Sequence, residues 1–333
     1  MIRDGAISGG TGASDGSERQ EALPGLTLAQ KASLTSGADF WHLQSLSEAG
    51  IEGVMVTDGP HGLRKQLETR DVVAEGASVP ATCFPPAVTL ASSWDCELVE
   101  RVGRALGREA RAEGVSVVLG PGVNIKRTPL CGRNFEYFSE DPLLAGQIGA
   151  AWVRGVQSEG VGASLKHFAA NNQETDRHRV SADIDERTLR EIYLPAFEHI
   201  IAHAHPLTVM AAYNKLNGVY ACEHPWLLTT LLRQEWGFNG LVISDWGAVS
   251  DRVSALAAGL DVEMPPSGTD RLIEEAVRDG ALAEHQVDAV VRRILDLERA
   301  TAAARADPGS YDADRHHGLA RAAAASGAVL LKN

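Results

Sequence analysis

GLVISDWGAV, residues 240–249, sets a short apolar run directly against a carboxylate. Leu241, Val242 and Ile243 show no polar alternation and are too few for a helix; bounded by Gly240 and Ser244, they read as a parallel strand buried on both faces. Asp245 comes next, flanked by Trp246 and Gly247. Taking a carboxylate out of water costs several kcal/mol unless the charge is paired or used. Its plainest role is to cap a helix starting near Ser250 or Asp251; the alternative is chemistry at a strand end.

The same juxtaposition recurs outward from this run. Thr27 and Gln30 form a capping box for a short helix ending near Gly37, and Val54–Val56 then reads as a strand with Asp58 on the Gly- and Pro-rich turn beyond it. Ala87–Ala91 is a second apolar run, followed by a helix that Asp95 caps, and Val115–Leu119 is a third. A long irregular excursion follows, GPGVNIKRTPLCGRNFEYFSED, of the kind that is usually functional in a compact domain. Asp141-Pro142 opens a helix, Gly162–Leu165 is the fourth strand, and Lys166-His167 follow it directly. Asp185 caps a helix carrying Leu189, Ile192 and Phe197; Leu207–Ala211 is the fifth strand; Pro225–Trp236 is a helix closed by Gly237; Leu241–Ser244 is the sixth strand. GLDVEMP, 259–265, is a weaker seventh, two helices begin near Thr269 and Ala283, and Ala328–Leu331 is a strand-like eighth run.

Strands alternating with helices specify a mostly parallel sheet, either doubly wound or closed. No GxGxxG or GxxxxGK[ST] follows the first strand, so the α/β class expected is a TIM-like (β/α)8 barrel. In that fold, polar residues just after strands gather at one mouth, which brings together Asp58, Arg133, Lys166, His167, Tyr213, Asp245 and Asp261. Composition narrows their use. A net charge of −13, from 31 Lys and Arg against 44 Asp and Glu, disfavours nucleic acid and anionic membrane surfaces as partners. Cys83, Cys96, Cys131 and Cys222 form no CxxC pair and have no metal-finger spacing, so no metal, cofactor or disulfide framework is expected. The chain shows no secretion signal and no stretch of roughly 20 apolar residues, so the cytoplasm is the expected location.

Carboxylates, cations and aromatic faces without a metal or phosphate loop suit a neutral polyhydroxylated ligand. Asp58 is placed to accept from a pair of hydroxyls, and Lys166, His167 and Arg133 to donate to others. A carboxylate among cations stays ionised at neutral pH, as a nucleophile must, and Asp245 is that candidate. Asp261 and Glu263 are expected to brace the barrel mouth or pair with Lys166.

TDGPHGLR (57–64), GRNFEYFSEDP (132–142), KHFAANNQE (166–174), VMAAYNKLNG (209–218), GLVISDWGAV (240–249) and AAGLDVEMP (257–265) together resemble glycoside hydrolase family 3, its β-glucosidase branch. The resemblance covers nearly all of residues 25–333. It implies a barrel irregular in its first strands, and a retaining β-glycosidase that hydrolyses terminal non-reducing β-D-glucosyl residues of β-glucosides or oligosaccharides. It implies that Asp245 is the nucleophile, that Trp246 lines the sugar site, and that Asp58, Arg133, Lys166, His167, Met210 and Tyr213, with Arg64 nearby, bind the sugar. A retaining glycosidase also needs a second carboxyl roughly 5 Å from the first. In this branch the resemblance puts that acid, a Glu, on a following α/β sandwich domain. The expected organisation is therefore a flexible leader over 1–23, the barrel over 24–325, and over 326–333 the start of a linker to that domain, on this protein or on a separate chain. Two alternatives stand beside this reading. One is a β-xylosidase or a β-N-acetylglucosaminidase of the same family, and against the β-N-acetylglucosaminidase pattern Asn171 and Asn172 replace the expected Gly-His pair, with His178 the nearby histidine; the other is a non-catalytic sugar-binding or assembly fragment. The apolar tail from His316 onward suggests self-association into a homo-oligomer.

Overall fold

The chain closes a ring around its own apolar strands, and a computed structural model describes residues 25–67 and 78–333 of it. The leader expected over 1–23 lies outside the described residues. The strands, in chain order, are β1 (Val56–Thr57), β2 (Val117–Val118), β3 (Gly162–Phe168), β4 (Ser181–Ala182), β5 (Thr208–Ala211), β6 (Lys215–Leu216), β7 (Val219–Tyr220) and β8 (Leu241–Ser244). Five of them form one parallel sheet in the order β1-β2-β3-β5-β8, every residue of β3, β5 and β8 being buried. The remaining three make a small separate sheet beside the mouth, in the order β4-β6-β7.

Beyond β8 the ring continues through single backbone bridges. Ile243 pairs with Val262 and Glu263 with Ser36, both parallel; Gly37 then pairs with Leu43 and His42 with Met55, both antiparallel. Met55 adjoins β1, so the circuit returns to its start. Among the described residues eight segments thus surround the axis, and the one at 41–43 runs against the others. This is the TIM-like barrel expected from the sequence, with its irregularity in the first segments.

Parallel register aligns the carboxyl ends. Val209 pairs with Val242 and Ala211 with Ser244, so the residues after β5 and β8 leave the sheet side by side. Around the outside, helices bury their apolar faces. The two helices Cys96–Ala112 and Pro142–Gln157, capped by Asp95 and Asp141 as their sequences specify, cross very closely. Gly103 lies against the Trp152 carbonyl and Gly155 against the Glu100 carbonyl, where a Cβ would stand 2.5 and 2.2 Å from those oxygens.

Three expectations are corrected. Ala87–Ala91 is not a strand but the helix Ala87–Ser92, with Ala87, Leu90 and Ala91 buried and Val88 outward. A short apolar run carries too little periodicity to separate a buried helical turn from a strand. The helix expected after Asp185 breaks into Glu186–Thr188, a widened turn Leu189–Tyr193 and Pro195–Ala204, because Pro195 has no N–H to continue the ladder; Ile192 is 40% exposed. Ala328–Leu331 forms no strand: beyond the helix Ala313–Gly327, Val329, Leu330 and Leu331 are exposed. No helix among the described residues is long and apolar enough to cross a membrane.

The helix crossing gives a direct test of the packing. Gly155→Ala gains helix propensity but drives a methyl into a backbone carbonyl. We expect a net destabilisation of about 1–3 kcal/mol in urea unfolding, the cost typical of overpacking, whereas Gly318→Ala, with nothing near its Cβ, should be neutral or stabilising.

Candidate active site

A cleft of about 220 Å³ opens at the carboxyl ends of the strands. It is lined by Asp58, Arg133, Lys166, His167, Met210, Tyr213, Asp245 and Trp246, together with Phe40, Trp41, Leu119 and Arg177.

Asp245 follows β8, and its N–H donates to the Ala211 carbonyl at 2.9 Å, so the sheet itself fixes its Cα. It does not cap the next helix; Asp251 does, through the Ser254 N–H. One carboxylate oxygen of Asp245 accepts from the Trp246 N–H at 2.8 Å, whereas the other, Oδ2, is buried and has no hydrogen-bond partner among the described residues. Burial raises the pKa of Asp245, and Lys166, Arg133, the Trp246 N–H and Tyr213 pull it down without cancelling that effect. The Tyr213 hydroxyl donates to the Trp246 carbonyl at 3.0 Å. Burial and the adjacent Asp245 carboxylate raise its pKa, so it stays a protonated donor beside the carboxylate.

Facing Asp245 is a set of charges that hold one another. Lys166, on β3, is 4% exposed; its Nζ donates to Asp58 at 3.2 Å and lies 3.7 Å from Glu136. Arg133 grips Glu136 in a two-point contact at 3.0 and 2.9 Å. Burial alone would push the Glu136 carboxyl up, but Lys166 and Arg133 hold it below its usual range. Arg133 remains a cation despite its burial, with Tyr137 and Glu136 opposing the desolvation.

The tautomer of His167 follows from its neighbours. Arg133 has only donors, and its Nη2 lies 2.7 Å from His167 Nε2, so Nε2 accepts and the proton sits on Nδ1. Nδ1–H then points to the Tyr137 hydroxyl at 3.3 Å, which donates onward to the Asn171 carbonyl at 3.3 Å. Burial first, then Arg133 and Lys166, hold the His167 pKa well below its ordinary value, so the ring is neutral. Its Nε2 is 3.7 Å from Asp245 Oδ2, and two lone pairs at that distance make no ion pair.

The aromatic wall is a cluster. Trp246 donates its indole N–H to the Phe40 carbonyl at 2.9 Å, and the Trp41 ring stands 5.7 Å from it and 5.0 Å from Phe40. Arg177 lies over the Tyr213 ring at 4.8 Å and donates to Glu174 at 2.7 Å. The sequence reading did not single out Phe40, Trp41, Leu119 or Arg177. GADFWH lies in the irregular segment that closes the ring, and Arg177 in a polar loop; neither has the strand-then-charge pattern that marked the others.

Three residues stand elsewhere than expected. Asp261 is not at the mouth: it opens the strand-like segment that pairs with β8, at the opposite end of the barrel. There it binds Arg233 and Arg293, each at 2.6 Å, and the Val242 N–H at 2.7 Å. Glu263 pairs with Arg252 at 3.2 Å, not with Lys166. Arg64 is exposed on the turn after β1 and is not among the residues lining the cleft; its backbone N–H donates to the Asp58 carbonyl. His178, the histidine of the alternative reading, is exposed, with its ring 4.2 Å from Tyr213.

His61 ties two of the contributing loops together. Its Nε2 accepts from the Ala87 N–H at 3.0 Å, and the next N–H in that helix, on Val88, donates to the Phe135 carbonyl. The turn bearing Asp58 and the loop bearing Arg133 thus hang on one helical turn. Burial lowers the His61 pKa from 6.5 to about 4, with Lys166 acting in the same sense and Glu136 against it. The folded state resists protonating this ring, so its contribution to stability is complete above pH 6.5 and is lost as pH falls towards 4. We expect His61→Gln to flatten the loss of thermal stability across that window, and His61→Ala to cost about 1 kcal/mol at pH 7 through the orphaned Ala87 N–H.

Comparison with known proteins places this arrangement. The model of the glycosyl hydrolase family 3 N-terminal domain matches residues 45–297. The chain is 57% identical over 310 residues to the thermostable beta-glucosidase B of Acetivibrio thermocellus, covering 92% of this chain and 41% of that protein. It is 56% identical over 310 residues to the exo-alpha-(1->6)-L-arabinopyranosidase of Bifidobacterium breve, with the same coverage of 92% and 41%. Among solved structures, the GH3 beta-glucosidase of Bifidobacterium adolescentis superposes with a TM-score of 0.89 at 56% identity, over 94% of this chain and 45% of that one. The chain spans less than half the length of these relatives. With the family model matching most of the barrel and relatives above half identity, the chain belongs to glycosyl hydrolase family 3, in the region of the family's N-terminal domain.

Proposed function

We propose that this barrel is the nucleophile-bearing half of a retaining β-glucosidase acting on terminal non-reducing β-D-glucosyl residues. The observation that carries the reading is the Asp245 carboxylate. One oxygen is fixed by a backbone N–H and the other is left unbonded beside a one-sugar cleft whose far side carries Lys166, Arg133 and Asp58. In this reading Oδ2 attacks the anomeric carbon while the bond to the aglycone oxygen breaks, giving a glycosyl ester on Asp245. Water then attacks the same carbon and frees the carboxylate, and the two inversions leave the sugar with its original configuration. Asp58 accepts from sugar hydroxyls, Lys166 and Arg133 support the charge, and Trp246, Trp41 and Met210 form the apolar face.

The leaving oxygen needs a proton. Asp58 and Asp245 are the carboxylates lining the cleft among the described residues; Asp58 is bound to Lys166, and Glu136 is held ionised. The acid is therefore assigned to a carboxyl on the further domain that the relatives' greater length supports. The four free cysteines support a cytoplasmic setting.

A second sugar has specific support, since a relative named for L-arabinopyranose is as similar to this chain as one named for glucose. The complete protein carrying the adjoining domain should decide between them by kcat/KM on aryl β-glucosides against aryl α-L-arabinopyranosides.

Nucleophilic attack is testable on this chain with a 2-deoxy-2-fluoro-glucosyl donor that has a good leaving group and needs no acid. We expect a single adduct, mapped by peptide mass spectrometry to Asp245 and absent in Asp245→Asn. Adduct on any other residue would withdraw the assignment. Because folding raises the pKa of Asp245, ionising it opposes stability above its unfolded value near 3.8. Asp245→Asn should consequently melt no lower than the native chain at pH 7, with the difference closing towards pH 4.

A further inference from the structure

The loop 126–140 has two flanks. One presents Arg133, held by Glu136, to the active-site cleft; the other opens into a second cleft of about 420 Å³, lined among others by Val88, Lys126, Arg127, Phe135 and Glu140. None of these five lines the first cleft.

Lys126 differs from most of the other lysines in its partners. Lys31 is paired with Glu284 and Asp288, Lys65 with Glu113 and Lys166 with Asp58, and the Lys215 ammonium sits over the Tyr220 ring. Among the described residues Lys126 forms no ion pair; its Nζ makes one hydrogen bond, to the Phe138 carbonyl at 3.2 Å. The side chain is partly buried while its cleft stays open to solvent, and Phe135, 54% exposed, lines the same cleft. Burial lowers the pKa of this amine from 10.5 to about 8, against a weaker opposing pull from Glu140. Roughly a tenth of it is then free base at pH 7 and about a quarter at pH 7.5, whereas an ordinary lysine is almost wholly protonated.

We propose that Lys126 is a nucleophilic amine site that takes aromatic aldehydes, with the ring laid on Phe135 and an acidic substituent directed to Arg127. The amine adds to the carbonyl carbon to give a hemiaminal, which loses water to form an imine. The amine nitrogen supplies the hydrogens of that water and the carbonyl its oxygen, so no oxidant or reductant is involved, and the step reverses on dilution. Glu140, the other charged group in the lining, sets the limit on how negative the aldehyde can be.

The test uses the 333-residue chain, 4-formylbenzoate and cyanoborohydride at pH 7.5, with adducts mapped by peptide mass spectrometry so that the α-amino terminus is counted separately. We expect Lys126 to be labelled roughly tenfold faster than exposed Lys332, the larger free-base fraction being partly offset by the lower basicity. Its rate should rise through pH 8. Lys126→Arg should remove this adduct with an unchanged melting temperature. Phe135→Ala should keep reactivity towards formaldehyde and lose the preference for the aromatic aldehyde. Labelling of Lys126 no faster than Lys332, or a Phe135→Ala variant that retains the aromatic preference, would overturn the proposal. Neither result depends on whether the barrel turns over a glycoside.

Discussion

A buried ammonium sets the terms of this structure. Lys166 leaves a strand on which every residue is buried, and its charge must be met by carboxylates brought from elsewhere. Asp58 comes from the turn after β1 and Glu136 from the long loop after β2. Glu136 in turn requires Arg133, and Arg133 fixes the tautomer of His167. Three segments far apart in sequence are thereby held at one mouth of the barrel. Lys166 and Glu136 each meet two opposite charges, so these two buried charges are compensated by the network rather than by a single partner.

The two aspartates on neighbouring barrel segments, Asp245 and Asp261, are nearly equally buried and have opposite fates. Asp261 has both oxygens satisfied by two arginines and a backbone N–H, a saturated arrangement that pins the closing segments of the ring. Asp245 keeps one oxygen without a partner, at the end of the barrel where the cleft lies. Burial by itself does not distinguish a structural carboxylate from a reactive one. The proposed role of Asp245 rests on a partnerless oxygen that also faces the cleft, because a saturated oxygen would have to give up bonds before it could attack.

The loop that completes the site is itself suspended from outside. His61 and the Phe135 carbonyl both accept from the first turn of the helix Ala87–Ser92, so a short helix that touches no ligand sets the spacing between Asp58 and Arg133. This is why a compact polar network can rest on irregular backbone: each loop is anchored at a helical N–H that has no partner within its own helix.

The sequence by itself determined the parts governed by local physics. Continuous apolar runs located β3, β5 and β8, side-chain caps located the helices after Thr27, Asp95 and Asp141, and the residues following strands pointed to Asp58, Lys166, His167 and Asp245. Tertiary structure alone decided the rest. The run at 87–91 was helical because its burial is one-sided, which periodicity over five residues does not reveal. Asp261 went to the far end because the strand-like segment starts at that residue, and a shift of a few positions in a strand boundary exchanges one mouth of a barrel for the other. Phe40 and Trp41 entered the cleft through single backbone bridges that close the ring, contacts between residues distant in sequence that leave no local signature.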